Sequence, residues 1–327
     1  ALPISRKESF ISSAPGDSKP SPMLSISTCW NSERHKDGAA MIAELMEFGF
    51  DAIELGHGIR ATLLPGILKM AGKVRFSSLH NFCPLPVEVR HPSPDCLQFS
   101  SYREAERERA VRQTFKTIDL AAQLGAPYVV LHLGRVVMQP ITKHLIRLAE
   151  TGQHLSPEYA RLKLAAVIRR EKEAPRVLER VRNCLRRILD YAAEKGVRLG
   201  MEGRQAYEEI PTEREAIAFL EEFDHPHFGY WHDIGHLQIK HNLGFTDHAG
   251  FLERVAPRLL GCHLHDVIWP GKDHAAPFTG GGVDYDRLVP LLPPSCLFVW
   301  EMSPRRSREE IATSLEQWRQ RFGNPRG

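Results

Sequence analysis

What most constrains the fold is a repeat. Eight times after Met23 a short apolar run is followed by a stretch with helical spacing of its apolar residues. The runs are Leu24–Cys29, Phe50–Leu55, Val74–His80, Tyr128–His132, Val197–Glu202, the stretch opening at Phe228, Leu259–His265 and Cys296–Trp300. Strands alternating with helices make a parallel sheet, and eight such units close into a (β/α)8 TIM barrel, an α/β fold. The 327 residues suit one barrel of ~250 residues with insertions. Residues 1–22, rich in Ser, Pro and Lys, read as a flexible tail, and 23–327 as the barrel. Around 136–173 an extra helical segment follows the fourth strand. Residues 135–195 carry 14 Lys/Arg against 7 Asp/Glu, which makes a solvated face or a lid over an anionic substrate.

In such a barrel, functional groups sit at the C-terminal strand ends. Phe228–His236 shows the pattern: an aromatic run delivers Asp233 and His236 three residues apart. Asp233 is equally the residue type that caps a following helix. The fifth, seventh and eighth strands end the same way, in Glu202, His263 and Glu301. Three carboxylates brought together without a partner repel one another, and burial drives their pKa values up. A divalent cation resolves the conflict, and three oxygens with one nitrogen suit Mn²⁺, Co²⁺, Mg²⁺ or Zn²⁺. His80, His132 and His236 lie at further strand ends and join the candidates, as ligands or as substrate contacts. The second strand ends near Glu54 and His57. Trp30, Phe82, Trp231 and Trp269 fall near strand ends and are expected to wall a pocket or pack the rim.

Composition narrows the class. With 42% hydrophobic and 25% charged residues the chain has the balance of an ordinary globular protein. No apolar run reaches the ~20 residues of a membrane span. A net charge of +3 makes no case for nucleic acid. The six cysteines include no close pair, which fits a reducing, cytoplasmic setting. A homo-oligomer is left open.

The order Glu202 … Asp233-Ile-Gly-His236 … His263-Leu-His-Asp266 … Gly280-Gly-Gly-Val-Asp284 … Glu301 resembles the xylose-isomerase-like barrel superfamily, over roughly Met23 to Arg321. That group holds sugar isomerases and epimerases, inosose dehydratases and isomerases, and endonuclease-four-type AP endonucleases. The resemblance implies that Glu202, Asp233, His263 and Glu301 bind one divalent metal, and that Glu202 and Glu301 are the acid/base pair. It places Arg204, Glu208, His80, His132, His236 and Trp231 against a small sugar or cyclitol. The implied reaction is isomerisation or epimerisation by proton transfer beside a carbonyl, through an enediolate. The alternative it carries is a metal-dependent phosphodiesterase with a trinuclear zinc site. Asp273-His274 stands where that alternative needs Asp-x-His. A third reading, a barrel that binds a ligand without chemistry, has no use for both glutamates.

Overall fold

The computed structural model describes residues 23–323. The expected tail, 1–22, lies outside the described residues. Eight parallel strands close the barrel: β1 (Leu24–Ser27), β2 (Ala52–Leu55), β3 (Phe76–His80), β4 (Tyr128–Leu131), β5 (Arg198–Glu202), β6 (Phe228–Asp233), β7 (Leu259–Leu264) and the last, Leu297–Trp300. Between β7 and the last strand a hairpin is inserted, β8 (Asp266–Ile268) antiparallel to β9 (Lys272–Ala275), which makes the last barrel strand β10. The second strand of the hairpin opens the Gly-rich stretch Lys272–Asp284. The hairpin strands are too short to show a period.

Residues two apart on a strand share a face. Register therefore extends the inward face around the barrel: Glu202 pairs with Trp231, Trp231 with Gly261, Asp233 with His263, and His263 with Val299. Trp231, Val130, Leu260, Leu297 and Val299 form a separate apolar cluster that plugs the interior. The indole of Trp231 needs two glycines beside it. A Cβ on Gly200 would lie 2.9 Å from its ring and one on Gly261 2.6 Å from it. Two residues further along each strand, the same face carries Glu202, Asp233, His263 and Glu301. The period of two thus sets a polar layer directly on an apolar floor.

The helices cover the outside: α1 (Gly38–Met46), α2 (Leu64–Lys69), α3 (Glu104–Leu124), α4 (Ile141–Glu150), α5 (Pro157–Glu194), α6 (Glu213–Glu222), α7 (Ile234–Asn242), α8 (His248–Val255), α9 (Tyr285–Leu288) and α10 (Arg308–Phe322). Reciprocal capping boxes open α6 at Thr212/Glu215 and α10 at Ser307/Glu310. The extra segment is not a separate element. Its second half is the start of α5, which runs 38 residues through Pro175 without a break. Pro175 is exposed, so the carbonyl it leaves without an amide partner lies on the solvent side. Inside, Arg170 on α5 pairs with Glu215 and so fastens the segment to α6.

The plug predicts that Trp231→Ala destabilises the chain by about 3–5 kcal/mol, read as a lower midpoint in chemical denaturation. A loss under about 1 kcal/mol would mean that the indole does not fill the barrel.

Candidate active site

Four donors meet at the mouth. Ligand atoms of Glu202, Asp233, His263 and Glu301 all lie within 4.8 Å of one another, and all four residues are buried. Around His263 Nδ1 stand Glu301 Oε2 at 3.3 Å, Glu202 Oε1 at 3.6 Å and Asp233 Oδ2 at 3.8 Å. The other ring nitrogen, Nε2, meets Glu54 Oε2 at 3.1 Å, and the same oxygen accepts from Ser78 Oγ at 2.7 Å. Glu54 thereby fixes the ring so that Nδ1 faces the carboxylates.

Asp233 plays both parts that its sequence position allows. Its Oδ1 accepts from the His236 amide at 2.7 Å, capping α7, and from His265 Nε2 at 2.9 Å. Its Oδ2 is buried without a hydrogen-bond partner, and so is His263 Nδ1. Two orphaned polar atoms facing a common centre are costly unless something fills it.

Glu202 is similarly divided. Oε2 meets His80 Nε2 at 3.0 Å and His132 Nε2 at 2.9 Å, leaving Oε1 toward the centre. Burial would raise its pKa, but His132, His236 and His263 together hold it well below the usual carboxylate range. Glu301 is held down to about 2: burial opposes ionisation, and His263 and then His274 outweigh it. His236 goes the other way, to about 9, because Asp233 and Glu202 outweigh its burial. The surrounding imidazoles thus favour the ionised form of both glutamates.

Several expected contacts fall elsewhere. Trp231 is the floor under His263, with ring centroids 5.4 Å apart, and is too deep to wall a pocket. Trp30 and Phe82 are core residues, and Trp269 stacks edge-on against His154 at the surface. Glu208 does not face the mouth. It accepts from the amide and hydroxyl of Thr142, at 2.8 and 2.6 Å, and so anchors α4. Its neighbour Glu209 turns inward and, with Asp95, pairs with Arg204 at 3.0 and 3.2 Å. The Arg204 guanidinium also contacts His132 Nε2 and lies 3.8 Å from Glu202 Oε1. Both terminal nitrogens are engaged, so the guanidinium braces His132 and Glu202.

The sequence places Glu54 at the end of the second strand but assigns it no role; its signal is a carboxylate inside the apolar run Ala-Ile-Glu-Leu. The sequence reading passed over Asp95, which orients His132 at 3.2 Å from a Pro-rich loop with no pattern to mark it. The Gly280-Gly-Gly motif has a structural use. The amides of Val267 and of Gly280 to Val283 wrap the Asp266 carboxylate at 2.7–3.2 Å. A cavity of about 270 Å³ opens beside the cluster, lined by Cys29, His57, His274 and Glu301 among others.

The fold has known relatives. A D-tagatose 3-epimerase-like protein superposes with a TM-score of 0.66 at 16% identity, over 91% of this chain and 96% of that one. The Escherichia coli 3-keto-D-glucoside 4-epimerase gives 0.61 at 13% identity, over 91% and 99%. At these identities the likeness is one of fold. In sequence, an uncharacterised protein of Sinorhizobium fredii is 27% identical over 191 residues, 58% of this chain and about half (51%) of that protein's length. Among the described residues no helix is long and apolar enough to cross a membrane. Residues 42–321 match the family described as xylose isomerase-like TIM barrel, and the chain belongs to that family.

Proposed function

We propose that the chain is a divalent-metal-dependent isomerase or epimerase acting on a small sugar or cyclitol by proton transfer beside a carbonyl. The observation that carries this reading is the pair of buried, ionised glutamates that face the same imidazole nitrogen from β5 and β10. A cation fits between them. The gaps of 3.3–3.8 Å around His263 Nδ1 are mostly long for hydrogen bonds. They match the ~3.4 Å edge between two donors each about 2.1 Å from a tetrahedral ion. The orphaned Asp233 Oδ2 and His263 Nδ1 supply the lone pairs. Glu202, Asp233, His263 and Glu301 would hold the ion, with Mn²⁺, Co²⁺, Mg²⁺ and Zn²⁺ all compatible with the donor set. When bound, such an ion polarises a carbonyl and acidifies the neighbouring C–H.

The chain's own groups divide the remaining work. Glu301 borders the open cavity and Glu202 does not, so a ligand enters from the Glu301 side. His80 and His132 grip one oxygen of Glu202 and so turn the other, Oε1, toward the centre. One glutamate removes the proton and the other returns it. Return to the opposite face of the same carbon gives epimerisation, and return to the neighbouring carbon gives isomerisation. The 270 Å³ cavity lies just below the ~300 Å³ lower end of small-molecule sites, the scale of one sugar.

The phosphodiesterase alternative draws on two further donor groups, His80/His132/Glu202 and His236/His265/His274. Arg204 weighs against the first, because its charge already sits beside His132 and Glu202. Against the second, His265 uses both nitrogens, on Asp233 and on the His274 amide.

Three outcomes test the proposal. Glu54→Gln should weaken metal affinity roughly 10–100-fold by loosening His263, measured by titration with Mn²⁺. Unchanged affinity contradicts the role given to Glu54. Glu301→Gln should keep its fold and lose about 10²–10⁴-fold in turnover. In D₂O the wild type should exchange a carbon-bound proton of a ketose or inosose. If none exchanges while an abasic-site duplex is cleaved, the isomerase reading is wrong.

A further inference from the structure

Glu301 faces two ways. Oε2 lies toward His263, and Oε1 lies 3.4 Å from the thiol of Cys29, whose Sγ is in turn 3.8 Å from His57 Nδ1. Cys29 follows β1, His57 follows β2 and Glu301 follows β10, and these three strands are neighbours on the barrel wall. Donor atoms of the three residues lie within 4.8 Å of one another. The place is built for sulfur: a Cβ on Gly56 would lie 2.4 Å from Cys29 Sγ, so only a glycine leaves room for it.

We propose that Cys29, His57 and Glu301 form a second cation site at the lip of the mouth, suited to a soft or borderline divalent ion such as Zn²⁺ or Cd²⁺. A tetrahedral ion holds a thiolate at ~2.3 Å and nitrogen or oxygen at ~2.1 Å, which separates sulfur from either donor by about 3.6 Å. The observed 3.4 and 3.8 Å bracket that edge. A thiolate in the set favours Zn²⁺ over Mg²⁺ or Mn²⁺. As the Sγ–metal bond forms, the S–H bond breaks and its proton leaves to solvent, with no change of oxidation state. The open cavity on the same residues gives an ion access and leaves its remaining position to water. Glu301 then bridges the two sites, one oxygen to each. An ion at the lip takes Oε1 from acid/base work, so excess Zn²⁺ slows turnover.

Metal content and a thiolate spectrum test this independently of any sugar. At saturating Zn²⁺ the full chain should hold two ions by elemental analysis, and Cys29→Ser one. With Co²⁺ the wild type should show a sulfur-to-cobalt charge-transfer band in the near ultraviolet that Cys29→Ser lacks. His57→Gln keeps the thiol and should weaken the second ion by roughly 10–100-fold. Asp233→Asn, which touches only the other cluster, should keep the band. No band in the wild type at saturating Co²⁺, or two ions still bound in Cys29→Ser, overturns the second site. A wild type that shows the band while holding one ion in all would support the site at Cys29 and overturn the one at His263.

Discussion

Three ionised carboxylates and one imidazole share a buried point at the end of this barrel, and most of its other features answer to that repulsion. In a low-dielectric interior such charges cannot stand together unless they are neutralised. The chain neutralises part of the excess itself. His80 and His132 take one oxygen of Glu202, His265 takes one oxygen of Asp233, and Arg204 stands behind them. The atoms left over, Asp233 Oδ2 and His263 Nδ1, are the ones that face the centre. The other oxygens of Glu202 and Asp233 are satisfied from within the protein, and the two atoms left at the centre have the donor chemistry of a cation site.

The geometry comes from strand periodicity and not from loop design. Trp231 and Val299 plug the barrel, and the next inward positions on the same strands are Asp233 and Glu301. A one-residue slip in β6 would send Asp233 outward and His232 inward, and the floor and the cluster would be lost together. Stability and chemistry are thus specified by the same register. The loops add access and control. The β8–β9 hairpin brings His274 to the mouth, where its ring meets the Glu301 carbonyl at 3.1 Å. The glycine loop, tied down on Asp266, fixes the segment that follows.

The barrel and the four converging residues were legible because both follow from local pattern: an apolar run, its end, and the residue type there. Asp233 as helix cap and as cluster member was visible as two competing readings, and the side chain has an oxygen for each. Side-chain direction was not legible. Trp231 lies two positions before the end of β6 yet points into the plug. Glu208 and Glu209 are adjacent acids, and only packing against Thr142 and Arg204 decides which turns inward. The continuity of α5 across Pro175 defeats a local rule: the proline sits on an exposed face while Arg170 and Val177 pack on the buried one.

The central claim is that the carboxylates of β5, β6 and β10 are held together for a divalent cation. Anomalous diffraction from crystals grown with Mn²⁺ or Zn²⁺ tests it most directly. The account predicts a peak roughly 2.0–2.3 Å from Asp233 Oδ2, His263 Nδ1 and one oxygen each of Glu202 and Glu301. A cluster that carries no peak under saturating metal, with its four side chains bridged by ordinary hydrogen bonds, would contradict it.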